Sequence, residues 1–127
     1  MSESENAAMI SRVATALDNW SLDDYESLLA EQAVEGRPQI RERFVGRENI
    51  IGMYRSLPGR PTFTWRGVRG GGAVWVLEGV MNYGEVSDYV IGVFEVSGGK
   101  IVKADWYFAP PLDPPPYHTQ WAERTEA

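Results

Sequence analysis

What most constrains this chain is the change of pattern at Pro61. Before it, apolar residues recur at helical spacing. After it come four segments rich in Val, Ile, Tyr, Phe and Trp, at 62–69, 73–83, 86–96 and 100–108. They are separated by Gly70-Gly71-Gly72, Gly84-Glu85 and Ser97-Gly98-Gly99, turns too short for anything but hairpins. A four-strand antiparallel meander follows. Upstream, Ser2 and Glu5 form a Ser-x-x-Glu start ahead of Met9, Val13, Leu17 and Trp20 on one helical stripe. Ser21 with Asp24 opens a short second helix carrying Tyr25, Leu28 and Leu29. Residues 46–57 read as a third helix, stopped by Pro58-Gly59. Brief or peripheral strands fit at 33–39 and 41–45, where Gly36 and Pro38 interrupt any longer one. The expected class is α+β, with three helices packed on one face of a curved sheet.

At 127 residues the chain is one domain, 1–127, and residues 109–127 form a Pro-rich tail (APPLDPPPY at its start) that cannot continue a ladder. It has no cysteine, which excludes thiol chemistry and disulfides and fits a reducing cytoplasm. Twelve Lys and Arg against eighteen Asp and Glu leave a net charge of −6, which argues against a nucleic-acid partner. No apolar run approaches the roughly 20 residues of a membrane span, and MSESENAA lacks a basic leader, so no membrane partner is expected. With one histidine, His118 in the tail, a metal site is not expected; no nucleotide or flavin signature is present, so any chemistry would be cofactor-free.

Pairing across the turns sets Tyr83 opposite Val86, Glu78 opposite Ile91, Ser97 opposite Lys100 and Ile91 opposite Trp106. Alternation then puts Thr62, Thr64, Arg66, Val76, Glu78, Val80, Asn82, Tyr89, Ile91, Ala104, Trp106 and Phe108 on one face. This mixture of polar groups and apolar wall has the chemistry of a ligand pocket. The other face, with Phe63, Trp65, Leu77, Met81, Asp88, Val90, Phe94, Asp105 and Tyr107, is expected to bury against a second subunit, giving a homodimer through the outer sheet face.

The stretches ALDNWSLDDYESLLAEQAV, GRENIIGMYRSL and FEVSGGKIVKADWYFAPP, in this order, resemble the nuclear transport factor 2-like superfamily. Its members include ketosteroid isomerase, limonene-epoxide hydrolase and SnoaL-like polyketide cyclases. The resemblance implies a cone-shaped, cystatin-like fold whose concave side, closed by the helices, holds a mostly apolar cavity. It places the hydrolase branch's functional positions at Glu35, Arg37, Glu78, Val80 and Trp106. The hydrolases' Asp-Arg-Asp set would read Val80, Glu78 and Trp106 here, so epoxide hydrolysis does not transfer.

Glu78, mid-strand in an apolar setting, is the expected proton shuttle, with a structural ion pair to Arg37 or Arg66 as its rival role. Glu35 and Arg37, two apart, share one side of a strand; Arg37 suits a carboxylate or enolate oxygen, and surface solvation is the alternative. Asn82 and Tyr89 could stabilise an oxyanion, although a tyrosine at such a place is more often plain aromatic wall. Trp20, Tyr25, Tyr54 and Trp106, with Val80 and Phe108, would line the cavity, plain core packing being the competing reading for Trp20 and Trp106. The function expected is a cofactor-free isomerase, cyclase or related lyase or hydrolase acting on an apolar cyclic or polyketide-like molecule, the alternative being a non-catalytic binding protein.

Overall fold

A computed structural model describes residues 2–125; the last two residues of the expected tail lie outside the described residues. Helix α1 (Glu3–Asn19) starts on the Ser2/Glu5 capping box, Ser2 Oγ accepting from the Glu5 amide at 3.2 Å. It ends on Trp20 in the left-handed region at φ 51°. Helix α2 (Leu22–Leu28) begins after Ser21, whose side chain makes no capping bond. Strand β1 (Leu29–Arg37) follows without a loop and is longer than expected; a 3₁₀ turn over Pro38–Ile40 leads to β2 (Glu42–Val45) and α3 (Arg47–Arg55). Then come β3 (Thr62–Gly71), β4 (Val74–Tyr83), β5 (Val86–Ser97) and β6 (Lys100–Ala109), and the tail holds one 3₁₀ turn at Pro116–His118.

The six strands form one open sheet in the order β2-β1-β6-β5-β4-β3. All neighbours are antiparallel except β1 and β6, because β1 joins the edge of the meander from the helical half of the chain. Two bulges decide which residues face the helices. Between β5 and β6 the pairing runs Ser97–Lys100 and Val96–Ile101, then Glu95–Lys103, leaving Val102 as an extra residue. Ile91 therefore opposes Tyr107, and Gly92 opposes Trp106. A second extra residue, Arg66, shifts β3 against β4.

The expected face lists are corrected accordingly. The inner face carries Phe63, Trp65, Leu77, Met81, Val90 and Phe94 from β3–β5, together with Ala104, Trp106 and Phe108 from β6. Glu78, Val80, Asn82, Tyr89 and Ile91 point outward, as do Asp105 and Tyr107. Phe63, Trp65, Met81, Val90 and Phe94, expected at a subunit interface, are covered by the chain's own helices instead. The core joins this face to Met9, Ile10, Val13 and Leu17 of α1 and to Ile50 and Ile51 of α3. Among the described residues no helix is long and apolar enough to cross a membrane.

Candidate functional site

β1 alternates Ala33, Glu35 and Arg37 toward the helices, so its two charged residues enter the molecule side by side. Glu35 is 0% exposed, buried beside the small Ala104 of β6. A carboxylate in such a place requires donors, and three side chains supply them. Tyr25 of α2 donates to Oε1 at 2.8 Å, Tyr54 of α3 donates to Oε2 at 2.8 Å, and Arg37 Nη2 donates to Oε2 at 2.9 Å. The same Nη2 donates to the Tyr54 hydroxyl at 3.3 Å. The rings of Tyr25 and Tyr54 meet edge to face at 5.5 Å, and the Arg37 guanidinium sits 5.2 Å from the Phe108 ring centroid.

Burial raises the Glu35 pKa, although Arg37 and then the two phenols act to lower it. Burial, followed by the charge of Glu35, raises both Tyr25 and Tyr54 well above the ordinary phenol value. For Arg37 burial is the largest influence and opposes charge, yet Tyr54 and Glu35 together leave its pKa raised. The Trp106 indole N–H is buried without a hydrogen-bond partner among the described residues, close enough to Glu35 and Tyr25 to pull both back toward their ordinary values.

This cluster forms the floor of a cavity of about 520 Å³ between the sheet and the helices. Its wall is apolar: Leu17, Trp20, Phe44, Met53, Phe63, Met81, Val90, Trp106 and Phe108, with Ile40, Leu57 and Pro61 completing it. Its polar members are Arg37, Tyr54, Gln39 and Tyr83, so Arg37 is the one ionised group among the described lining residues. Glu35 and Tyr25 stand one layer behind. Gln39 is committed elsewhere, its amide bridging the backbone N–H and C=O of Phe108 at 2.6 Å each. The Tyr83 hydroxyl is buried and has no partner among the described residues.

Of the residues singled out from the sequence, Trp20, Arg37, Tyr54, Trp106 and Phe108 line this cavity, with Glu35 directly beneath. Tyr25, expected in the wall, stands behind it on Glu35 instead, because its hydroxyl is drawn to the buried carboxylate, and four others do not reach the cavity. Glu78 lies on the outer face and pairs with the exposed Arg69 at 3.1 Å, not with Arg37 or Arg66. Val80 and Asn82 share that outer face, and Tyr89 is exposed on it. The physical reason is the bulge at Val102, which rotates β6 by one residue relative to β4 and β5 and separates Trp106 from Glu78. Asp105 also faces out, 3.6 Å from Lys103. Asp88 shares the side of β5 that carries Val90, but does not line the cavity. Sequence reasoning missed Tyr25 as a partner of Glu35; its signal was a tyrosine on the buried stripe of a helix that runs straight into the strand bearing the acid. Among the described residues no cluster of three or more acidic or histidine side chains converges as a metal site would.

No protein-family model and no curated protein matches this sequence. Solved structures do. A nuclear transport factor 2-like protein of unknown function from Burkholderia xenovorans LB400 is 26% identical, with a TM-score of 0.92 over 98% of both chains. A candidate ketosteroid isomerase from Kribbella flavida DSM 17836 is 21% identical, with a TM-score of 0.88 over 98% of this chain and 92% of that one. An LEH-like epoxide hydrolase from M. tuberculosis is 25% identical, with a TM-score of 0.70 over 83% of each chain. The chain thus has the cone-shaped α+β fold of nuclear transport factor 2-like proteins, and these neighbours support that superfamily.

Proposed function

We propose that this chain is a cofactor-free acid–base enzyme of isomerase or hydrolase type, SnoaL-like in branch, acting on an apolar cyclic or polyketide-like molecule in the cavity. The observation that supports this reading is a single guanidinium set into an apolar wall, with a phenol beside it that is hydrogen-bonded to a buried carboxylate. Arg37 Nη1 and Nε make no hydrogen bond among the described residues, so they are available to a substrate carbonyl or carboxylate oxygen. In an isomerisation, the C–H bond beside that carbonyl breaks and its proton passes to the Tyr54 oxygen. The phenolic proton moves to Glu35 Oε2, and the electron pair settles on the oxygen held by Arg37. Reversal of the relay at another carbon completes the shift. Glu35, its pKa raised by burial, accepts that proton more readily than an ordinary carboxylate. The named neighbours, a candidate ketosteroid isomerase and an epoxide hydrolase, agree with this class of chemistry.

A second reading is favoured by the placement of Glu35: fully buried and supplied with three donors, it makes a satisfied support for Arg37 in a protein that binds and does not turn over. A thermal-shift screen of cyclic ketones and apolar carboxylic acids finds the ligand, since binding to the folded state raises its stability. Turnover by the wild type, lost in Tyr54→Phe with binding retained, is the expected result. A ligand recovered unchanged from the wild type overturns the enzyme in favour of the binder. As part of the same reading, the chain works in the cytoplasm and pairs with a second copy through its outer sheet face.

A further inference from the structure

The segment after β6 is exposed throughout its described length, 110–125. Its hydrogen bonds, among the described residues, are internal: His118 N–H to the Pro115 carbonyl at 3.1 Å, and Trp121 and Ala122 N–H to the His118 carbonyl at 2.9 and 3.0 Å. Pro114, Pro115 and Pro116 lead into this hooked turn, on which Tyr117 packs edge to face with His118 at 4.5 Å. Fully extended at ~3.1 Å per residue, the Pro-rich stretch 110–115 spans about 19 Å, enough to reach a neighbouring molecule. A disordered tail is expected to be polar, but this one presents Leu112 at 85%, Tyr117 at 76% and Trp121 at 82% exposure.

The arm's root adjoins a second unpartnered apolar surface. Ala109, the last residue of β6, pairs with Tyr89; on the outer face next to it stand Ile91 and Tyr107, paired with each other and, like Tyr89, exposed. The arm thus starts at the end of the strand that carries part of this patch. The likeness to the Burkholderia protein spans 98% of both chains, so most of the arm falls within the matched length.

We propose that residues 110–125 are an exchange arm, which lies across the outer sheet face of a second copy of this chain while the partner's arm does the same in return. The inference rests on the pairing proposed above and adds what holds it. Two-fold symmetry suits the observation, because each copy supplies both an arm and a face that receives one. The areas also suit it. Large side chains of this kind cover about 150–250 Å² each when buried, so two arms remove on the order of 1,000 Å². With the surfaces beneath them, that enters the ~1,200–2,000 Å² range of stable interfaces. The prolines and the internal hydrogen bonds of the hook reduce the entropy lost on docking.

Sedimentation equilibrium on the full chain, Trp121→Ala, Tyr107→Asp and a chain ending at Ala109 tests the arm. Acrylamide quenching of the full chain against Trp121→Phe isolates Trp121. We expect a dimer with Trp121 protected and becoming accessible on dilution, weakened about tenfold or more without the arm and several-fold by Trp121→Ala. Tyr107→Asp disrupts it with the arm intact. Equal dimerisation with and without the arm, and by Trp121→Ala, overturns the arm while leaving the pairing. A full chain that stays monomeric at high concentration overturns both. Trp121 protected in a monomer at every concentration means the arm folds onto its own chain, and also overturns the proposal.

Discussion

The Tyr54 phenol and the Glu35 carboxylate meet at 2.8 Å, and of the two only the phenol lines the cavity. The negative charge is thus kept one layer behind an apolar wall, and Arg37 brings the compensating positive charge to the surface that a ligand would touch. In this way Glu35 fixes the geometry of both polar groups without presenting a carboxylate to the ligand.

Titration of Glu35 should leave a signature opposite in sign to ordinary acid denaturation. Burial raises its folded-state pKa above the ordinary value of 4.5. Between the two values the folded chain holds a proton that the unfolded chain has released, so stability falls as pH rises. The contribution is fully present below 4.5 and is lost through the raised value. Urea midpoints of the wild type should therefore drop relative to Glu35→Gln from mildly acidic pH toward neutrality. A difference that grows in the other direction would mean that Arg37 outweighs burial.

The two phenols behave alike at the alkaline end. Tyr25 and Tyr54 stay protonated in the folded chain above pH 10.0, where unfolded tyrosines ionise, so their contribution is present below 10.0 and lost as pH rises through their raised values. Tyr25→Phe, which removes the donor to Oε1, should cost about 1–3 kcal/mol at neutral pH and reduce the alkaline loss. Absorbance titration near 295 nm checks it: two tyrosines should ionise only as the protein unfolds. Normal titration of all six tyrosines in the folded chain would contradict the cluster.

Arg37→Met strands the buried carboxylate. Removing one partner of a buried pair costs about 3–5 kcal/mol, moderated here by the donors Tyr25 and Tyr54 and by protonation of Glu35. The loss should shrink at acidic pH, and combining the change with Glu35→Gln should recover much of it. Denaturant melts of the two single variants and the double variant measure this coupling; additive losses would deny that the two side chains act as a pair.

Much of this was legible beforehand because local chemistry governs it. The capping box, the three glycine turns, the four long strands and the shared side of Glu35 and Arg37 each follow from neighbours in sequence. The hairpin registers Tyr83–Val86, Glu78–Ile91 and Ser97–Lys100 also hold. The site was harder, because one extra residue at Val102 exchanges the faces of β6 relative to β5, and no residue type marks that bulge. Trp106 was thereby grouped with Glu78, although they lie on opposite sides of the sheet. The Tyr25–Glu35 bond likewise depends on how α2 packs over β1, which alternation within a strand does not report.

The outer face offers the corresponding negative expectation. Glu78 pairs with an Arg69 that is largely in water, an arrangement worth about 0–1 kcal/mol. Glu78→Gln and Asn82→Ala should leave both the melting temperature and any ligand-induced shift nearly unchanged, whereas Phe108→Ala should reduce the ligand shift. Loss of ligand response in Glu78→Gln would return that residue to the centre of the function and remove Glu35 from it.

Gly92 is the residue on which the cavity wall depends most directly. It faces Trp106 across the β5–β6 ladder, and a Cβ there would stand 2.8 Å from Phe94 Cε2 and 2.9 Å from Trp106 Cζ3 and Cη2. Phe94 is itself wedged edge to face against Trp106 at 5.4 Å, so neither ring has room to retreat within the sheet. The indole must then tilt toward the cavity or toward Glu35. Overpacking of this kind costs about 1–3 kcal/mol. Gly92→Ala should lower the urea midpoint by that amount, alter the near-ultraviolet circular dichroism of the buried tryptophans and weaken ligand binding together. Gly98→Ala, at a turn where an added Cβ meets no neighbour but φ is +59°, serves as the comparison that carries backbone strain without touching Trp106. If both variants lose stability and only Gly92→Ala loses the ligand, Trp106 is confirmed as a wall of the site; if binding survives Gly92→Ala intact, the ligand does not rest on that wall.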